Sequence, residues 1–99
     1  MYNQNLKTIN PYFSQTWAGV KLYEIRNNDR NFREGQQYIL REYEEKLDCY
    51  TGRSIFIEIL LVMDDSRFLK EGFVSFQFRV LNRVNTIKLN KKLEALKFI

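Results

Sequence analysis

The sequence predicts an α+β, mainly β fold: a small β-barrel with one short N-terminal helix and a helical C-terminal tail. Three observations lead there. Lys21–Arg26, Gln37–Tyr43, Ser54–Met63 and Phe73–Leu81 have the alternation or apolar run of strands. One earlier segment, Pro11–Ala18, has helical spacing instead. No strand–helix–strand repetition appears, which argues against a doubly wound parallel sheet. An open sheet of four or five strands leaves two edges exposed, and closure into a barrel removes them.

Leu6–Ile9 reads as a short first strand. Asn10-Pro11 is a helix start, with Asn as N-cap and Pro at the first helical position. Phe13 and Trp17 then lie on one helical face, and Gly19 suits a left-handed C-terminal cap. Lys21–Arg26 places Tyr23 and Ile25 on one face and Leu22, Glu24 and Arg26 on the other, a strand with an unusually charged side. Asn27-Asn28-Asp29 has turn chemistry, as does Glu34-Gly35. Gln37–Tyr43 is the next strand and Lys46–Gly52 a loop. Ser54–Met63, the most continuous apolar run, reads as a central strand buried on both faces. Asp64–Gly72 is a polar connection. Phe73–Leu81 closes the set, with Val74, Phe76, Phe78 and Val80 inward.

These elements make one barrel domain over residues 1–81, followed by a tail over residues 82–99. From Asn90 the tail reads as a basic amphipathic helix, with Leu89, Leu93 and Leu96 on one side and Lys91, Lys92 and Lys97 elsewhere. Its leucines are expected to dock on the barrel or on a second copy, which makes self-association through this helix an open expectation.

Composition narrows the chemistry. The chain has 99 residues, 44% apolar and 15% aromatic, enough for one core. There is no histidine and one cysteine, Cys49. An internal disulfide and a Ser–His or Cys–His dyad are therefore excluded, and no metal or cofactor is expected. The N-terminus lacks a basic run followed by an apolar one, and Ile59–Met63 is too short to span a bilayer. A cytoplasmic protein with no membrane partner is expected. The net charge of +4 resides wholly in the tail, because residues 1–81 carry eleven cations against eleven anions. Net charge thus says little about the barrel.

The chemistry-bearing pattern is G-x-K-x-x-E-x-R, present as Gly19, Lys21, Glu24 and Arg26. Glu24 and Arg26 project from one strand face, and Lys21 lies at the strand's start. Such a cluster can hold an anionic or hydrogen-bonding ligand. It is equally compatible with a self-satisfied ion network that closes the barrel. Phe13, Trp17, Phe76 and Phe78 are expected in the core, Asp29 and Gly52 in turns, Cys49 as an inert thiol, and Asp64-Asp65 facing water.

The segment GVKLYEIRNNDR resembles the signature of the ASCH superfamily of PUA-like barrels. It is most similar to a small branch of unknown function found in phages and Firmicutes. Further blocks match in order: Phe32 and Gly35, Leu40 with Glu42 and Tyr43, Tyr50–Arg53, and Gly72-Phe73-Val74. The likeness covers about residues 5–81. It departs at Asn27, where the branch usually has Lys, at Gln36, where it usually has Asp, and at Gln4, where a His is common.

This resemblance implies a cleft lined by the charged strand, with RNA or a modified nucleotide as ligand. Lys21, Arg26, Arg30 and Arg53 would contact phosphate, Asn27, Asn28 and Thr51 would read polar edges, and Tyr23 or Tyr50 would stack on a base, with Glu24 beside them. Some ASCH relatives remove an acyl group from a modified cytidine with a Lys and a nearby acid on this strand. Lys21 as nucleophile or base and Glu24 as acid or base make an amidohydrolase the alternative, with Glu58 or Glu42 as a second acid. That family has Thr where Glu24 stands. A protein-interaction module of a mobile element, acting through the tail, is the third reading.

Overall fold

The structure, a computed structural model, describes residues 4–86. It is mainly β: five strands and one short helix, in the order β1 (Asn5–Thr8), α1 (Tyr12–Trp17), β2 (Tyr23–Asn27), β3 (Gln37–Glu44), β4 (Cys49–Met63) and β5 (Phe73–Asn85). The strands form one curled sheet in the order β1-β3-β4-β5-β2. β1 pairs with β3 in parallel, and the other pairings are antiparallel.

The expected closure does not occur through backbone pairing. β1 and β2 are the two edges of a half-barrel, and no strand ladder joins them.

Inside the curl lie Leu6, Phe13, Phe32, Tyr38, Leu40, Ile55, Ile57, Ile59, Val74, Phe76 and Phe78, with Trp17 and Val80 packed against them. Helix α1 ends as its sequence predicts: Gly19 has φ +79°, and its amide donates to Thr16 O at 2.9 Å. Its start differs slightly. Pro11 occupies the N-cap position, and Asn10 Oδ1 accepts from the Ser14 amide at 3.0 Å.

Three sequence expectations are corrected. β4 is central, yet only one of its faces is buried. Ile55, Ile57 and Ile59 point inward, whereas Phe56, Leu60, Leu61 and Met63 are exposed. The register shift between Ile59 and Leu61 explains the unbroken apolar run, because it puts Leu60 and Leu61 on the outside together and returns Val62 to the core. Second, the supposed loop over residues 46–52 ends early, since β4 begins at Cys49. Gly52 is therefore in a strand, at an irregularity opposite Glu42. Third, β5 runs through Asn85, pairing Asn82–Asn85 with β4, so the sheet takes the first four residues assigned to the tail. The expected helix from Asn90 lies outside the described residues. No helix among the described residues is long and apolar enough to cross a membrane.

Candidate functional site

The sheet leaves room at the seam between the edge strands β1 and β2. Alternation on β2 turns the charged face inward: Glu24 is 5% exposed, while Tyr23 and Ile25 are 48% and 56% exposed. A strand normally buries its apolar side. This one reverses the rule because its inner face borders polar backbone edges at an unclosed seam rather than the apolar core.

Side chains span that seam. Arg26 Nε donates to Glu24 Oε1 at 2.9 Å, and its Nη2 donates to Lys7 O at 3.0 Å and Thr8 Oγ1 at 3.1 Å. Arg30 Nη1 donates to Asn5 O at 2.5 Å. Two arginines of the β2 side thus occupy backbone carbonyls of β1. Lys21 Nζ completes the network, donating to Glu24 Oε2 and to Tyr23 O, the latter at 2.5 Å. The Glu24 carboxylate is held between two cations, and both cations are engaged by it.

Next to this network a cleft of about 560 Å³ opens between β1, α1 and β2. That volume falls within the usual range for small-molecule sites. Lys21, Glu24 and Arg26 line it together, with the rings of Tyr12, Tyr23 and Phe73. Lys7, Gln15 and Asn27 also border it. Among the described residues the side-chain amides of Gln15 and Asn27 have no hydrogen-bond partner.

Of the residues singled out from sequence, Lys21, Glu24, Arg26, Asn27 and Tyr23 meet at this cleft. The others do not. Asn28 is a turn former, its Oδ1 accepting from the Phe32 amide at 2.8 Å. Arg30 serves the seam, and Tyr50 lies on the outer face of β4. Glu58, the first candidate for a second acid, pairs with Arg79 and does not line the cleft.

Thr51 and Arg53 belong to a different cluster, centred on Glu42 of β3. The Glu42 carboxylate is buried and accepts from Asn10 Nδ2 (2.7 Å), Thr51 Oγ1 (2.6 Å), Arg53 Nε (2.8 Å) and Arg53 Nη2 (2.6 Å). Burial pushes this carboxyl up, but the bonds from Arg53, Thr51 and Asn10 outweigh it and hold the group below its ordinary value. In return, the Glu42 bond holds the Arg53 guanidinium above its own. That guanidinium lies 5.2 Å from the Phe13 ring centre and 4.9 Å from that of Trp17. Arg53 therefore ties helix α1 to the sheet and is not a wall of the cleft.

Gly52, between these two residues, is required for close approach. With φ +101° it accepts at its carbonyl from the Thr86 amide and hydroxyl, each at 2.9 Å, and a Cβ there would meet Thr86 backbone at 2.8 Å.

Sequence reasoning missed Tyr12, Gln15, Phe73 and Lys7. Only Phe73 carried a signal, as part of the Gly72-Phe73-Val74 block. The rest depend on how β1 and α1 fold back beside β2. Among the described residues no group of three or more His, Cys, Asp or Glu side chains could hold a metal ion.

Residues 3–78 match the model of a family described as a domain of unknown function, DUF3850. No curated protein matches the chain.

Proposed function

The chain belongs to the DUF3850 family, and from that premise we propose that it binds the base of an RNA or of a modified nucleotide in the β1–β2 cleft. The observation that carries this reading is the state of the charges. Lys21, Glu24 and Arg26 are engaged with one another, so what the cleft offers a newcomer is aromatic rings and neutral amides. Rings of Tyr12, Tyr23 and Phe73 suit the face of a planar heterocycle, and the amides of Gln15 and Asn27 suit its edge. Phosphate contact by Lys21 and Arg26 is not part of the proposal. Kinship with the ASCH superfamily is part of it, resting on Gly19, Lys21, Glu24 and Arg26.

Calorimetric titration with a panel of ribonucleosides, including N-acetylated cytidine, tests the reading. Binding by one or more members is expected, with at least a fivefold loss in Tyr23→Ala, a variant at an exposed ring that leaves the fold intact. No heat with any nucleoside or nucleoside monophosphate at millimolar concentration, from protein shown to be folded, would sink it.

The amidohydrolase alternative draws on the buried contact between Lys21 and Glu24 at the cleft. Lys21 Nζ is engaged by Glu24 and by the Tyr23 carbonyl rather than directed at a substrate, which is why binding is preferred. Release of acetate from acetylated cytidine, abolished in Lys21→Met, would reverse that preference.

A further inference from the structure

A second set of charged and aromatic residues lies on the outer face of the sheet, beside the cleft. Lys7, Arg41, Tyr43 and Tyr50 lie on the outer face of three adjacent strands, β1, β3 and β4. Lys7 is the Cα partner of Arg41, and Tyr43 that of Tyr50. Their side chains form a continuous ladder. Lys7 Nζ sits 3.9 Å from the Tyr43 ring centre. The Tyr43 and Tyr50 rings meet edge to face at 5.2 Å, and the Arg41 guanidinium lies 3.9 Å from the Tyr50 ring.

The electrical state of this ladder is the opposite of the cleft's. Among the described residues neither Lys7 nor Arg41 is paired with a carboxylate. Each is held over a ring, which fixes the cationic head without neutralising it. The ladder crosses two inter-strand spacings, about 10 Å. At one end Lys7 also borders the cleft. Beside the Tyr43–Tyr50 rung, the β3–β4 turn carries Glu44, Glu45 and Asp48, which repel an anionic chain and bound the path on that side.

We propose that the Lys7–Tyr43–Tyr50–Arg41 ladder is the track for the nucleotides flanking the captured base, so that the ligand is a single-stranded RNA segment rather than a free nucleotide. The proposal rests on the base-binding reading of the cleft and supplies what that cleft lacks. A neutral pocket takes the base, and un-neutralised cations beside it take the phosphates. The guanidinium plane of Arg41 and the edge of the tyrosine pair give neighbouring bases a surface to stack on, which is how single strands are held without sequence preference.

The test is fluorescence anisotropy with a labelled seven-nucleotide RNA of random sequence, at 50 and 200 mM salt, on the full chain. Arg41→Gln is expected to weaken binding about five- to tenfold at 50 mM and to flatten the logarithmic salt slope by about 0.7. Tyr50→Ala weakens it at least about fivefold, while Tyr50→Phe, which keeps the ring, retains it. Neither Arg41→Gln nor Tyr50→Ala changes the affinity for a free nucleoside.

RNA bound equally by wild type, Arg41→Gln and Tyr50→Ala would overturn the ladder while leaving the cleft standing if nucleosides still bind. Absence of RNA binding by the wild type at 50 mM overturns it as well. Ladder variants that weaken RNA binding in a protein that ignores every nucleoside would instead support the ladder and remove the cleft.

Discussion

The guanidinium of Arg26 reaches across an unpaired seam to the backbone carbonyl of Lys7, 3.0 Å away, and holds two strand edges that share no ladder. The same group touches Thr8 and Glu24, and together with Arg30, which donates to Asn5 O, it carries the junction that a pair of strands would otherwise make.

Arg26→Ala is therefore expected to lower stability by about 2 kcal/mol, the scale of hydrogen bonds to a charged group together with a carboxylate left half-paired. Arg26→Lys should recover little, since an ammonium cannot present the same fork to Lys7, Thr8 and Glu24 at once. Urea denaturation measures the loss. Hydrogen exchange should show β1 amides opening faster than those of β4. Uniform protection across the sheet in Arg26→Ala would show that the seam does not depend on this residue.

Gly52→Ala is expected to cost about 1–3 kcal/mol, from the left-handed backbone and the close approach of Thr86. Thermal melting reports the cost. Gly35→Ala, with φ +83° but no atom within 4 Å of the added methyl, is the control that bears only the backbone part. Equal losses at both positions would mean that Thr86 is not packed against Gly52.

Glu42 predicts the acid limb of stability. Its carboxyl titrates lower in the folded protein than in the unfolded chain, where it is ordinary at 4.5. Its stabilising contribution is therefore fully present above that unfolded value and is lost as pH falls through the depressed folded one. Glu42→Gln should destabilise by about 3–5 kcal/mol near neutrality by stranding the partly buried Arg53, and should make stability less steep in pH below 4.5. Denaturant midpoints from pH 3 to 7 test both. An acid limb of unchanged slope in Glu42→Gln would assign the effect to other carboxylates.

Much of this was legible beforehand. Alternation located β2 and β3 to within a residue or two and found the start of β5 but not its last four residues, and Val74, Phe76 and Phe78 were placed on the core side of β5 correctly. Periodicity divides β2 into two faces but does not say which is inside, and here the polar one is. That choice depends on β1 lying nearby, brought there by a parallel pairing with β3 that has no local signal. The apolar run of β4 concealed a register shift, because a strand that changes face midway has no simple period.

At the site, the G-x-K-x-x-E-x-R pattern correctly brought Lys21, Glu24 and Arg26 together. The Y-T-G-R block was visible as a unit, but its work is divided. Tyr50 belongs to the outer ladder, Thr51 and Arg53 serve Glu42, and Gly52 admits Thr86. Short spacing along a strand shows which residues share a face. It does not show which neighbour waits on each side.

The extent of β5 bears on where this domain can be cut. The family match ends at residue 78, midway along a strand that continues to Asn85. Residues 79–85 pair with Arg53–Glu58, and Thr86 fastens onto Gly52. A fragment trimmed to the matched span would strip the partner from one side of β4 and leave a hydrogen-bonding edge next to the Glu42–Arg53 pair. Kinship and strand pairing thus have different boundaries in this chain, and the smallest piece that keeps every described ladder and the Thr86–Gly52 bonds extends through Thr86.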